Sequence, residues 1–223
     1  MRALLVACSL CCAGAAVAQP VAPLQLADSL PLPEHELPFA GTLAPTHRLQ
    51  LDLVTFRDIH WEPERILGAV HGAAAILAQC GIRVQRAELY RFEGGDPGLR
   101  YLSTPVSRQL VRRVRPAKPA VFFVRDTRHV PAFDAEAFGT GNTMTRPELV
   151  FTVWITAAVR DLPLALAHEL AHVLMDSGEH SVEAENLMRD ETVTGNTRLA
   201  PEQCARMAET GERNGLLQRE QPR

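Results

Sequence analysis

The 223-residue sequence predicts an α/β (α+β) domain, a mixed sheet with helices packed against it. Two observations carry this reading. Apolar residues recur in strand-like runs over residues 49–56, 82–92, 120–124 and 148–156, and at helical spacing from Pro63, Thr104, Pro163 and Pro201. The two kinds of segment alternate without repeats or a central linker, so residues 47–223 are expected to form one domain. With 46% hydrophobic residues the chain can bury one sizeable core. A net charge of −3 gives no basis for nucleic acid as a general partner, which would call for a strongly basic surface.

The first element is an export signal. Met1-Arg2 supplies positive charge, residues 3–17 are almost continuously apolar, and Ala16-Val17-Ala18 offers the small-x-small cleavage pattern. Residues 1–18 are therefore expected as a signal peptide, and the product as periplasmic or secreted. The apolar run is too short for a stable membrane span. The alternative lipoprotein pattern, Leu5-Val6-Ala7-Cys8, leaves almost no apolar segment ahead of its cysteine. Loss of Cys8, Cys11 and Cys12 with the signal leaves Cys80 and Cys204. In an oxidising compartment these are expected as one disulfide, with two separately buried thiols as the alternative.

Residues 19–46 are rich in proline and read as an extended arm. Their His35-Glu36-Leu37 lacks a second histidine, since Phe39 stands in its place. A strand over 49–56 follows. Pro63 opens a helix with Ile66, Leu67, Val70, Ala73, Ala74 and Leu77 on one face, ending at Cys80-Gly81. Residues 82–92 return to strand alternation, and the Gly-Asp-Pro-Gly run at 95–98 breaks it. Thr104-Pro105 starts a short helix to Val114. Arg108, Arg112, Arg113, Arg115 and Lys118 form a basic cluster, expected as a solvated face. A buried strand at 120–124, a glycine-bearing loop at 138–142, a strand at 148–156 and a final helix from Pro201 to about Leu217 complete the reading.

The helix from Pro163 carries His168-Glu169-Leu170-Ala171-His172. Positions i and i+4 share a helix face, so two imidazoles can address one metal ion. Imidazole suits zinc, whose catalytic sites keep a position open for water. Glu169, beside the first histidine, is placed to take that water's proton and pass it to a leaving amine. A buried helix with two histidines satisfied by ordinary hydrogen bonds is the bland alternative. The flanks Leu164, Leu166, Ala167, Val173 and Leu174 make such burial of polar groups costly without partners.

The segment resembles the metzincin clan of zinc peptidases, whose motif is HExxHxxGxxH followed by a methionine-containing turn. His168, Glu169 and His172 match it; His180 is the expected third ligand, and Asn186-Leu187-Met188 looks like the Met-turn. The departures are Met175 at the family's glycine and His180 two residues late. Gly178 is accordingly expected to end the helix, and Asp176, Glu179, Glu183 and Glu185 stand as alternative third ligands. Asp190 occupies the position where some branches carry tyrosine. The resemblance implies a zincin-like sheet with a long N-terminal helix, an active-site helix and a C-terminal helix. It further implies Zn2+, Glu169 as general base, Met188 beneath the metal, and a peptide substrate bound as an extended strand along a rim at 138–145. A zinc-binding module without turnover is the alternative function. Oligomeric state is not legible.

Overall fold

The computed structural model describes residues 21–37, 39–42, 44–190 and 193–220. The signal sequence expected at residues 1–18 lies outside them. In chain order the elements are β1 (Gln25–Pro33), β2 (His47–Phe56), α1 (Pro63–Leu77), β3 (Ile82–Glu93), β4 (Tyr101–Leu102), α2 (Thr104–Val114), β5 (Ala120–Val124), β6 (Asp126–Thr127), β7 (Ala135–Phe138), β8 (Thr152–Thr156), α3 (Leu162–Met175), α4 (Pro201–Arg213) and β9 (Leu217–Arg219). The main sheet runs β1-β3-β2-β5-β8-β7, with β9 joined to the start of β2. Its central strands β3, β2, β5 and β8 are parallel; β1, β7 and β9 are antiparallel to their neighbours.

Burial follows from this topology. Strands β5 and β8 are buried along their whole length, as expected of parallel strands covered on both faces. Phe122 and Trp154 stack at 4.2 Å across the pair, and the Trp154 indole N–H donates to Thr152 Oγ1. Helices α1, α3 and α4 pack in sequence, α1 on α3 and α3 on α4, and α3 also lies against β7 and β8. The expected α/β architecture is therefore present.

Several boundaries differ from expectation. The proline-rich segment is not an arm throughout: Gln25–Pro33 is an edge strand antiparallel to β3, pinned by a bidentate Arg91–Asp28 pair at 2.6 and 2.8 Å. Pro31 and Pro33 are tolerated because an edge strand leaves half its N–H positions without a ladder partner. The strand expected at 148–156 begins only at Thr152, after a 3-10 turn over Pro147–Leu149 and a left-handed Phe151 at φ 57°. The last helix stops at Arg213, and Leu217 belongs to β9 instead. The short β4–β6 pair had no legible signal.

The basic cluster is also only partly solvated. Arg108 and Arg112 both hold Glu148, at 2.8–3.1 Å. Hydrogen bonding from Arg108 lowers the Glu148 carboxyl to about 2. Lys118 lies mostly buried, its ammonium donating to the Glu148 carbonyl at 3.2 Å. Burial lowers Lys118 to about 8, so between pH 8 and 10.5 the folded chain binds fewer protons there than the unfolded chain. The cost of charging Lys118 stands in full below pH 8 and disappears as pH rises through that window.

Cys80 and Cys204 form a disulfide across 124 residues of sequence, fastening the end of α1 to α4 as expected. Replacing both by alanine should cost roughly 3–5 kcal/mol, the chain-entropy value for so long a loop, read as a lower urea midpoint. In Lys118→Met the rise in stability between pH 8 and 10.5 should flatten and the pH 7 midpoint should increase. An unchanged pH profile would contradict the burial of a charged ammonium.

Candidate metal centre

Helix α3 starts at an Asp161 cap, whose carboxylate accepts from the Leu164 N–H at 3.2 Å, with Pro163 in the first turn. Leu164, Leu166, Leu170, Val173 and Leu174 fix it in the core, each 0–2% exposed. Helical periodicity then leaves Ala165, His168, Glu169, His172 and Asp176 along one wall of a cleft of about 610 Å³. Strand β7 lines the cleft with Ala135, Glu136 and Ala137; Phe133, Arg160, His180 and Asp190 complete much of its rim.

The helix does not run on to Gly178, as expected from sequence. It ends at Met175, and Asp176 adopts the left-handed conformation at φ 47°. The turn is thus made by an aspartate, a residue type tolerant of that region. The chain folds back from there and brings His180 to the other two histidines. His172 Nε2 lies 2.9 Å from His168 Nε2 and 3.2 Å from His180 Nε2, and one ligand atom from each residue falls within 4.8 Å of the others.

The alternative carboxylates are engaged elsewhere or exposed. Glu179 pairs with Arg206 at 2.6 Å, Glu185 with Arg198 at 3.2 Å, Asp176 accepts from Thr140, and Glu183 faces solvent.

Hydrogen bonding decides the protonation of the two buried rings. His168 Nδ1 lies 2.7 Å from the Leu187 carbonyl, and His172 Nδ1 lies 2.7 Å from the Ser177 carbonyl. A carbonyl only accepts, so each Nδ1 carries the proton and each Nε2 presents a bare lone pair. Extra protonation is disfavoured: burial first, then the His168 charge, lower His172 to about 4, and burial lowers His168. Lone pairs facing each other at 2.9 Å have no hydrogen to share, an arrangement that a divalent cation would satisfy. His168 and His172 thus have the hydrogen-bonded oxygen behind the ring that is the usual outer support of metal-binding histidines, while His180 Nδ1 faces the exposed Asp190 Oδ1 at 3.6 Å. The donor set fits an imidazole-preferring metal such as zinc.

Glu169 sits on the same wall, its carboxyl raised to about 8 by burial first and then by the charge of Glu136. Glu136 is itself raised by burial and bonded to His129 Nδ1 at 3.2 Å. His129 belongs to a side network with Glu136 and Thr104 rather than to the cluster.

Met188 is buried at 1% exposure. Its turn acts on the site through backbone groups. Leu187 offers the carbonyl to His168, and the Met188 carbonyl accepts from Ser181 N–H at 2.6 Å, next to His180. Neither carbonyl, nor that of Ser177, could be found from residue type, because a main-chain acceptor leaves no mark in sequence.

The edge strand also differs from the expected rim at 138–145. It is β7 itself, Ala135–Phe138, with 139–145 forming the loop beyond it. The Asp134 carbonyl accepts from Thr156 N–H and that of Phe138 from Phe151 N–H. Even-numbered residues therefore turn their backbone toward β8, and Ala135 and Ala137 turn theirs to the free edge.

No protein-family model matches the chain, and no curated protein does. Among solved structures it is similar to metalloproteinase-II from Bacteroides fragilis, with a TM-score of 0.50 and 18% sequence identity over 78% of this chain. The match spans 58% of that protein's length. At this identity the likeness speaks to the fold alone, a zincin-like mixed sheet with its helices.

Proposed function

We propose that the chain is an exported zinc-dependent endopeptidase of metzincin type. One observation carries the proposal: three imidazole nitrogens converge beside Glu169 in a cleft bordered by a free strand edge. His168, His172 and His180 would hold the ion through Nε2. When bound, zinc supplies Lewis acidity toward a carbonyl and acidifies water. The protein's own groups do the rest. A cation in the cluster favours the ionised form of Glu169, countering the burial that raises it. As carboxylate it takes a proton from the attacking water; as acid it returns the proton to the leaving amine.

The extended substrate pairs with β7 through Ala135 and Ala137, which holds the scissile bond over the histidines. Ala137 already lends its carbonyl to Asn142 Nδ2 at 3.3 Å, a contact a peptide would compete for. Met188 is assigned to the support of the site through its buried turn. Among the described residues no helix is long and apolar enough to cross a membrane. The disulfide suits an oxidising compartment and supports export.

Purified protein should carry one zinc per chain and cleave casein or a peptide library. Glu169→Gln should keep the zinc and lose about 100- to 10,000-fold in kcat/KM, the range of a general base. His180→Ala should weaken zinc binding by more than the ~10–100-fold seen for outer-sphere partners. Equal, slow cleavage by native protein and Glu169→Gln, both zinc-loaded, would leave a zinc-binding module without turnover.

A further inference from the structure

The residue that ends α3 has a second task. Asp176 is left-handed, and that turn delivers the Ser177 carbonyl to His172 Nδ1. Its carboxylate points the other way, across the cleft wall. Oδ1 accepts from Thr140 N–H at 2.8 Å, and Oδ2 accepts from Thr140 Oγ1–H at 2.5 Å. Thr140 lies two residues past the end of β7 and 36 residues from Asp176 in sequence. Gly139 passes so close that a Cβ there would meet Asp176 Oδ1 at 2.4 Å, so a side chain at this position would push the carboxylate aside. The loop is closed on itself by Thr143 Oγ1–H donating to the Gly139 carbonyl at 2.7 Å.

We propose that Asp176 is a positioning residue, its carboxylate fixing the substrate-pairing edge of β7 against the helix that carries the histidines. The inference rests on the peptidase reading and adds a determinant of how tightly an extended peptide is held. Two independent features support it. Both carboxylate oxygens are committed to one residue of the rim loop. The turn itself requires a left-handed residue, which glycine would supply equally well. A glycine would make the turn, so the carboxylate is what aspartate adds.

Asp176→Gly keeps the turn and removes the carboxylate; Asp176→Asn keeps an acceptor for the Thr140 amide. Asp176→Gly should retain one zinc per chain. KM for a peptide long enough to pair with β7 should rise about tenfold, as expected for lost hydrogen bonds to a charged group, with kcat much less affected. Asp176→Asn should recover most of the loss. Thr140→Val should weaken binding in the same sense, and the Asp176→Gly/Thr140→Val double variant should be little worse than Asp176→Gly, because the two share one contact.

Hydrogen exchange on the zinc-loaded protein gives a readout independent of turnover. Amides of residues 135–143 should exchange faster in Asp176→Gly, with those of α3 unchanged. Unchanged exchange at 135–143, or loss of zinc with kcat and KM both impaired, would overturn the positioning role. Absence of cleavage by the native protein would instead reject the peptidase reading and leave exchange to decide the latch.

Discussion

The site depends on two hydrogen bonds from imidazole to main chain. The Leu187 and Ser177 carbonyls, each 2.7 Å from an Nδ1, fix which nitrogen of His168 and His172 carries the proton and which faces the cleft. Neither carbonyl belongs to the helix. Ser177 is placed by the left-handed turn at Asp176. Leu187 is placed by a buried turn: within it Met188 N–H donates to Asn186 Oδ1 at 2.8 Å, and Leu187 N–H fastens it to the Arg198 carbonyl at 2.7 Å. Asn186 and Gln203 exchange two amide hydrogen bonds at 3.1 Å, which ties that turn to α4. The disulfide then ties α4 to the end of α1. Orientation of one histidine thus draws on contacts running from the C-terminal helix back to the first.

This arrangement explains why so apolar a helix tolerates three polar groups on one face. The buried leucines of α3 contribute about 1.5–3 kcal/mol each on burial, which fixes the helix whatever its cleft face carries. The polar face is therefore free to be set by chemistry rather than stability. Low dielectric around it keeps His168 and His172 neutral and raises Glu169, a combination that suits binding a cation and then moving a proton.

The helices, most strands and the histidine spacing were legible because periodicity and the i, i+4 rule act locally. Pro163 marked the start of α3 within a residue. Its end was not legible, since both Asp176 and Gly178 are compatible with a left-handed turn. Proline content misled over residues 25–33 because it signals linkers and edge strands alike. The pairing of Arg108 and Arg112 with Glu148 is a contact across 36–40 residues, invisible to a local count of charges. The candidate site was readable in its side chains and unreadable in the backbone carbonyls that aim them.

X-ray absorption at the zinc edge of the purified protein tests the central claim most directly. The account predicts one zinc per chain with three imidazole nitrogens at about 2.0–2.1 Å and an oxygen in the remaining position. A protein that takes up no zinc, or a spectrum with fewer than three imidazoles, would contradict it.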